Sequence, residues 1–387
     1  MARQYKLKSF LRYLDDALIR EYLKTKGIHR ELPAKDDKET PADYWERLIR
    51  ALPQKEVDAI EAGFQEVSEM AMESGILSLT RMGRDHDIDI TGEIKDVENP
   101  HNQALHCYLK HPEIFEETAT LHRIEELRSK KERTGLRSKT AKQVINRKDA
   151  LAEALRQFFT EQDGRGLHCH VDAYSFSNRV CLVAHPEDYA QTDLHYEGEQ
   201  LRRASRRPCF EVVFIYYPDA GRLELWAKGG RDREKELMDI FNHQVLEDET
   251  PLDPMQKVYD LNRLFDENVV LAGQLEDQIE DIRVKLLRFD FKFGGRQRIT
   301  LEMDQEGGLK PMQELMKHKG INAEYYNITQ ARIHIKFPGK GKKGGVTMQI
   351  TAPDKCNLNS SPLHLKAEKY LKLWNLENNP AREAQTV

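Results

Sequence analysis

The sequence lacks the features that would place the chain in a membrane or in an oxidising compartment. No stretch approaches the roughly 18 consecutive apolar residues that a transmembrane helix requires. The N-terminus, Met1 to Lys6, starts basic but is not followed by the apolar segment of a secretory signal. The five cysteines are scattered without a Cys-x-x-Cys pair, which favours reduced thiols over a disulfide scaffold or a zinc ribbon. These absences predict a soluble cytoplasmic protein without a membrane partner.

The common motifs of nucleotide and ester chemistry are also missing. The chain has no Gly-x-x-x-x-Gly-Lys-Ser/Thr, no Gly-x-Gly-x-x-Gly and no Gly-x-Ser-x-Gly. The glycine-rich stretch 339–345 holds three lysines, but no helix is predicted to follow it, so it is not a phosphate-binding loop. We therefore expect no cofactor and a non-catalytic protein, although the sequence leaves enzymatic activity open.

Two kinds of apolar spacing divide the chain. In the first 165 residues apolar positions recur every three or four residues, which is typical of amphipathic helices. Alternating patterns then predict strands at 167–175 and 179–184, and a hairpin at 210–227 whose turn contains Pro218 and Gly221. We predict an α+β fold, with a helical N-terminal region, strand-rich modules of mixed or antiparallel sheet, and a closing C-terminal helix.

The segment 123–148 differs from its surroundings in composition. It carries ten Lys/Arg, three Glu and few apolar residues. We interpret it as the polar end of a long helix followed by a linker around Gly135. The predicted domains are a helical domain with this basic linker (1–148), an α/β module that contains the hairpin (149–250) and a basic β-rich module (251–380).

Positive charge is concentrated in residues 283–345. This stretch has fourteen Lys/Arg and six Asp/Glu, a net charge of +8, whereas the whole chain has a net charge of −5. Because exposed charges act over about one Debye length, a local positive field indicates a polyanionic partner even on an acidic protein. A smaller group of four arginines lies at 202–207, in a predicted loop.

The register of two predicted hairpins indicates where these cations point. A loop at 294–296 would pair Phe291 with Ile299 and Phe289 with Leu301, and would place Lys292 opposite Arg298. In the second hairpin the apolar residues of strands 333–337 and 346–350 face inward. Because the aromatic side chains then point to the core, this surface is not expected to stack on bases.

We call the outward surface of these two hairpins the basic face. Its predicted function is contact with the phosphate backbone of DNA or RNA, independent of base sequence. The protein would be a component of a larger system. The predicted binding residues are Arg288, Lys292, Arg298, Arg332 and Lys336, together with Lys340, Lys342 and Lys343 of the connecting loop.

Two alternative functions stay open at this point. His168, His170 and Asp172 alternate along a predicted strand and would share one face, an arrangement that suits a metal-dependent hydrolase or nuclease. In the other alternative the helical N-terminal region binds a protein partner, and the chain is an interaction scaffold whose basic face is incidental.

Overall fold

The computed structural model describes residues 5–29, 33–36, 38–176, 178–198, 200–253, 256–294, 297–338, 345–359 and 362–378. It confirms the predicted α+β class, with helices concentrated in the N-terminal region, a large sheet and a C-terminal helix. The chain forms two compact units. One comprises Met1–Glu125 and Leu194–Ala204, and the other comprises Glu126–Asp193 and Ser205–Val387.

The first unit is built from amphipathic helices, as the spacing of its apolar residues predicts. Thr40 shows how one of them begins, because its side chain accepts a hydrogen bond from the Asp43 backbone N–H and Pro41 follows it at the first helical position. Within the described ranges, no helix is both long and apolar enough to cross a membrane. The helices are α1 (Leu7–Leu11), α2 (Asp16–Thr25), α3 (Pro41–Arg50), α4 (Gln54–Met70), α5 (Glu73–Asp85), α6 (Ile90–Ile94), α7 (Pro100–Lys110) and α8 (Pro112–Glu126).

The second unit contains a ten-stranded antiparallel sheet formed by β1 (Lys130–Arg133), β2 (Cys169–Phe176), β3 (Arg179–Pro186), β6 (Val212–Tyr217), β7 (Arg222–Trp226), β8 (Asp281–Phe291), β9 (Arg298–Glu302), β10 (Tyr326–Lys336), β11 (Gly345–Thr351) and β12 (Lys355–Cys356). The predicted hairpin at 210–227 is confirmed as β6 and β7, and the strands predicted near 167–184 are β2 and β3. The order of the strands across this sheet is β2-β3-β6-β7-β1-β12-β11-β10-β8-β9.

Two further strands form a separate ribbon, β4 (Gln191–Glu197) and β5 (Gln200–Arg206). The arginines at 202–206 therefore lie on a strand, and the predicted loop is wrong. Every residue of β5 is exposed, so no apolar face reveals this strand in the sequence. The remaining helices are α9 (Ala141–Ile145), α10 (Lys148–Asp163), α11 (Arg231–Gln244), α12 (Lys310–His318) and α13 (Pro362–Leu373), with short 3₁₀ helices at Leu261–Phe265 and Leu275–Asp277.

The large sheet has two hydrophobic clusters, one on each of its faces. The central cluster contains Leu223 and Leu225 of β7 and packs against α10 and α11. The C-terminal cluster contains Ile350 of β11 and packs against α12 and α13. Directly opposed residues of antiparallel strands point to the same face of the sheet. Leu225 is paired with Lys131, so these two residues share one face. Ile350 is paired with Cys356, which is in turn paired with Lys130, so these three residues share a face. Because Lys130 and Lys131 are consecutive, the two clusters lie on opposite faces.

The segment 123–148 contains the main error of the sequence prediction. The helix end is confirmed, because α8 extends to Glu126, but residues 130–133 form β1, a buried strand that pairs with β7 on one side and β12 on the other. All four residues, Lys-Lys-Glu-Arg, are buried. Apolar periodicity cannot identify a strand without apolar residues, which is why the pattern failed here. The domain boundaries predicted near 148 and 250 stay predictions.

The helical unit offers a test of its packing at Gly63 in α4. An alanine Cβ at this position would lie 2.3 Å from the Tyr22 hydroxyl and 3.0 Å from the Tyr108 hydroxyl. The Tyr22 hydroxyl is buried and donates a 2.8 Å hydrogen bond to the Ile60 carbonyl, so it cannot move without losing that bond. Although alanine ordinarily favours a helix over glycine, we expect Gly63→Ala to lower the free energy of unfolding by about 1–3 kcal/mol, measured by urea denaturation.

The matched control is Gln65→Ala, at an exposed position of the same helix. It should change the free energy of unfolding by no more than about 0.5 kcal/mol. A Gly63→Ala protein as stable as the wild type would contradict the close packing of Tyr22 on α4.

Candidate functional site

The residues of the basic face come from three neighbouring strands. Arg288 lies on β8, Arg298 on β9, and Arg332 and Lys336 on β10. The pairing places Arg288 opposite Gln330, on the face that points away from the C-terminal cluster. The sheet therefore brings four of the predicted cations to one surface, and Lys292 follows immediately after β8.

The predicted register of the first hairpin is wrong by two residues. Phe289 pairs with Ile299 instead of Leu301, and Arg298 stands opposite Asp290 instead of Lys292. The loop between the strands is longer than three residues, which shifts every pair. The expected repulsion between two cations is consequently replaced by an attraction, because Arg298 and Asp290 form an ion pair with 2.9 Å between Nε and Oδ1.

Most cations on this surface already have partners. Lys336 forms an ion pair with Glu280 at 2.6 Å, and the Lys292 ammonium donates a hydrogen bond of 2.5 Å to the Ala323 carbonyl. Arg283 and Lys285, farther along β8, contact carboxylates that include Asp304. The net charge of +8 therefore overstates the field at the surface, since neighbouring carboxylates compensate much of it.

His334 does not add to this field near neutral pH. Burial, assisted by the neighbouring cations Lys285 and Arg283, lowers its pKa below the usual value. Its ring is also held in place, with Nδ1 3.0 Å from the Thr347 hydroxyl. The uncharged imidazole is thus a positioned polar group and not an additional cation.

Arg288 and Arg332 differ from Arg298 and Lys336, the predicted binding residues that are paired with carboxylates. Within the described part of the chain, neither forms an ion pair with a carboxylate. Arg332 has a long contact of 3.4 Å to the Gln349 amide oxygen, which leaves the rest of its guanidinium available. The three predicted loop residues Lys340, Lys342 and Lys343 lie outside the described residues.

The expectation that the aromatic side chains point inward is only partly confirmed. Phe289 is fully buried in the C-terminal cluster, and Ile333, Ile335 and Phe337 are buried as predicted. Phe293 is 60% exposed, because β8 ends at Phe291 and the alternation of faces ends with it. The sequence prediction failed at this residue because it extended the strand too far.

The alternative metal site has a different composition from the one predicted. His170 and Asp172 lie on β2 and share a face, but His168 precedes the strand. His185 of β3 takes the third place, and both imidazoles contact the same carboxylate, at 3.0 Å for His170 and 3.1 Å for His185. Among the described residues no group of His, Cys, Asp and Glu side chains has the geometry of a metal site.

A cluster of buried charges surrounds β1, which sequence reasoning assigned to a linker. On the side of the C-terminal cluster, Arg222 contacts Glu368 at 2.6 Å, Glu224 at 3.4 Å and Glu132 at 3.6 Å. Lys130 forms an ion pair with Glu224 at 3.0 Å. Three carboxylates therefore share two cations. The alternation of Arg222, Leu223, Glu224 and Leu225 was the sequence signal of a charged strand face.

The opposite side of β1 holds a second group of buried ion pairs. Arg133 contacts Asp354 at 2.6 Å, and Lys131 lies 3.7 Å from the same residue. Burial lowers the pKa of Lys131 below its usual value. Glu234 of α11 joins this group through Lys355, with 2.8 Å between the two charged atoms. Both faces of this four-residue strand are consequently ionic.

Burial raises the pKa of Glu132 to about 7, although Arg222 opposes the shift. Tyr259 donates a 2.8 Å hydrogen bond to one carboxylate oxygen, and the other has no hydrogen-bond partner in the part of the chain that the structure describes. A titrating carboxylate is a common feature of active sites. The cavity beside Glu132 measures only about 30 Å³, however, which fits one water molecule and no substrate. We interpret the cluster as structural.

Comparison with known proteins does not identify a relative. No protein-family model matches the chain, and no curated protein or solved structure matches it.

The raised pKa of Glu132 makes stability depend on pH. The folded protein holds this proton up to about pH 7, whereas an unfolded glutamate releases it near pH 4.5. Between these values folding binds a proton, so this group lowers the free energy of unfolding as pH rises, by at most about 1.4 kcal/mol per pH unit. Glu132→Gln mimics the protonated form, and urea denaturation between pH 5 and pH 8 should show it gaining stability relative to the wild type as pH rises.

Glu39→Gln is the control, because the contact of Glu39 with Arg47 lowers the pKa of this carboxyl below its usual value. The contribution of Glu39 to the free energy of unfolding is therefore constant between pH 5 and pH 8. If the wild type and Glu132→Gln had parallel pH profiles, Glu132 would not titrate within this range.

Proposed function

We propose that this protein binds nucleic acid without sequence specificity, by contact between the basic face and the phosphate backbone. The proposal includes a role as a non-catalytic component of a larger system. The observation that carries it is the presence of Arg288 and Arg332 on one sheet face without a carboxylate partner in the described ranges. A guanidinium presents several N–H donors in a planar fork that matches phosphate oxygens.

The spacing of these two arginines supports contact with one strand. Arg288 stands opposite Gln330, and Arg332 is two residues farther along the same strand. Such diagonal neighbours lie about 7–8 Å apart at their Cα atoms, so their guanidinium groups reach adjacent phosphates without rearrangement of the sheet. The sheet positions both side chains on a fixed backbone, which reduces the entropy lost on binding.

The ion pairs of the basic face limit the expected strength of binding. A cation that already contacts a carboxylate gains less from a phosphate, because the first contact must be broken. With two free arginines as the main contacts, the slope of log affinity against log salt should be about −1.4 for a single strand and about −1.8 for a duplex. We therefore expect weak binding that is measurable at low salt.

The test is fluorescence anisotropy with labelled DNA and RNA at several salt concentrations between about 20 and 200 mM. The double variant Arg288→Gln and Arg332→Gln should bind at least tenfold more weakly at low salt, and its salt slope should approach zero. Arg47→Gln with Arg50→Gln is the charge-matched control, since both arginines are paired with glutamates in the helical unit.

The control should bind like the wild type, because its lost charges lie outside the basic face. Absence of binding at low salt would refute the proposed function, and so would binding that does not respond to salt. Equal losses in the two double variants would show that overall charge, and not the basic face, determines binding.

A further inference from the structure

The ribbon of β4 and β5 is exposed along nearly its whole length. All described side chains of the two strands are exposed apart from that of Asp193, which is partly buried. Its large apolar side chains are Leu194, Tyr196 and Leu201, which are 59%, 70% and 57% exposed. An isolated two-stranded ribbon is only marginally stable in water, and further strands or a packed face are needed to stabilise it. The described chain does not supply that support, so a partner is expected.

The exposed apolar side chains share one face of the ribbon. Asp193 of β4 and Arg206 of β5 form an ion pair, which places them on the same face. Because side chains alternate along a strand, Leu194 and Tyr196 point to the opposite face, together with Leu201. The ribbon therefore has one polar face and one face with an apolar patch.

Both outer edges of the ribbon are open to pairing. Each strand has a single neighbour within the described ranges, so the other edge carries backbone N–H and C=O groups that no strand pairs with. Such an edge is a template for a strand of another chain. The two edges differ in charge, and this difference decides which of them suits a second copy of the same chain.

The edge of β5 is unsuited to pairing with its own copy. Residues 201–206 contain three arginines and no carboxylate. Two antiparallel copies of this segment would bring six guanidinium groups to one seam, and like charges on neighbouring strands are destabilising. Charged side chains on an outer strand are a common means of preventing further pairing.

The edge of β4 is complementary to itself. When two copies of β4 are paired antiparallel about Leu194, Asp193 of each copy stands opposite His195 of the other, and Thr192 stands opposite Tyr196. An imidazole N–H donates a hydrogen bond to a carboxylate, and two-fold symmetry forms this contact twice. Asp193 retains its contact with Arg206, because a carboxylate has two oxygens that accept hydrogen bonds.

The same pairing joins the apolar patches of the two ribbons. Leu194 stands opposite its own copy at the two-fold axis, with Tyr196 and Leu201 of each copy on the same face. The result is a four-stranded sheet with one apolar face, which meets the usual requirement of at least three strands for independent stability. The arginine-rich β5 strands then form both outer edges, so the assembly ends at two copies.

We propose that two copies of this protein associate through β4, with the two strands antiparallel about Leu194. This inference goes beyond the proposed function and does not depend on it. Only one strand of each copy forms the seam, so the interface is small and the dimer is a reversible one. Pairing of β4 with β5 of a further copy is the competing arrangement, and it would produce an open chain of molecules instead of a closed dimer.

The test is sedimentation velocity of the full chain over a concentration series from micromolar to hundreds of micromolar. The wild type should change from monomer to dimer as concentration rises. Leu194→Asp places two carboxylates opposite each other at the two-fold axis and should weaken the dimer by at least about tenfold. Leu275→Asp is the matched control, because Leu275 is 96% exposed and lies outside the ribbon, and it should dimerise like the wild type.

A charge exchange tests the register of the two strands. His195→Glu places a carboxylate opposite Asp193 and should weaken the dimer, whereas the double variant Asp193→Lys with His195→Glu restores opposite charges and should recover most of the association. Arg206→Gln removes the ion pair within the ribbon and should leave the dimer intact. Because these side chains lie on the exposed ribbon, thermal unfolding of all variants should match that of the wild type.

Three results would overturn the proposal. A wild type that is monomeric at every concentration would leave the ribbon to a different partner. Equal dimerisation of Leu194→Asp and the wild type would exclude β4 as the seam. Oligomers larger than a dimer would indicate the open arrangement, and failure of the charge exchange to restore association would exclude pairing about Leu194.

Discussion

The sheet of the second unit is continuous because β1, a strand made entirely of charged residues, pairs with both of its neighbours in the middle of the sheet. β1 joins β7 to β12, and only two residue pairs connect it to β12. Each of its side chains is buried between apolar layers, where an unpaired charge would cost several kcal/mol. The partners that prevent this cost are far away in the sequence: Arg222 and Glu224 on β7, Asp354 before β12, and Glu234 on α11. Glu368 of α13 joins the group through Arg222. The two halves of the sheet and the helices on both of its faces must be in place for these charges to be satisfied.

This constraint explains the arrangement of the two hydrophobic clusters. The central cluster lies on one face of the sheet and the C-terminal cluster on the other, so the strand between them has an apolar layer beside it on each face. Buried ion pairs are a weak source of net stability, but their geometry is specific, because a shift of β1 by one residue would exchange the partners of Lys130 and Lys131. We infer that the charges of β1 determine register where an apolar strand would tolerate slippage. The basic face lies on the side of β8 and β10 that points away from the C-terminal cluster.

The parts of the fold that could be predicted from the sequence are those in which one face of an element is apolar. Most helices of the first unit, the hairpin β6–β7 and the inward residues of β10 and β11 show such periodicity and were predicted. β1 could not be predicted, because its environment is set by residues up to about 220 positions away, such as Asp354, and not by its own composition. The register of β8 and β9 failed for a related reason. Turn length decides register, and the segment between these strands offers several glycine-containing turns with equally regular patterns.

The net charge of residues 283–345 is larger than the charge that is available to a ligand, and this difference bears directly on function. The stretch 283–345 has a large positive excess, yet Arg298, Lys336, Arg283 and Lys285 are each within ion-pair distance of a carboxylate. A phosphate must compete with these carboxylates, and the competition is unfavourable because the protein partner is already positioned. Arg288 and Arg332 do not face that competition, because neither has a carboxylate partner in the described ranges. Affinity for a phosphate at this surface would then depend on the few cations without a carboxylate partner.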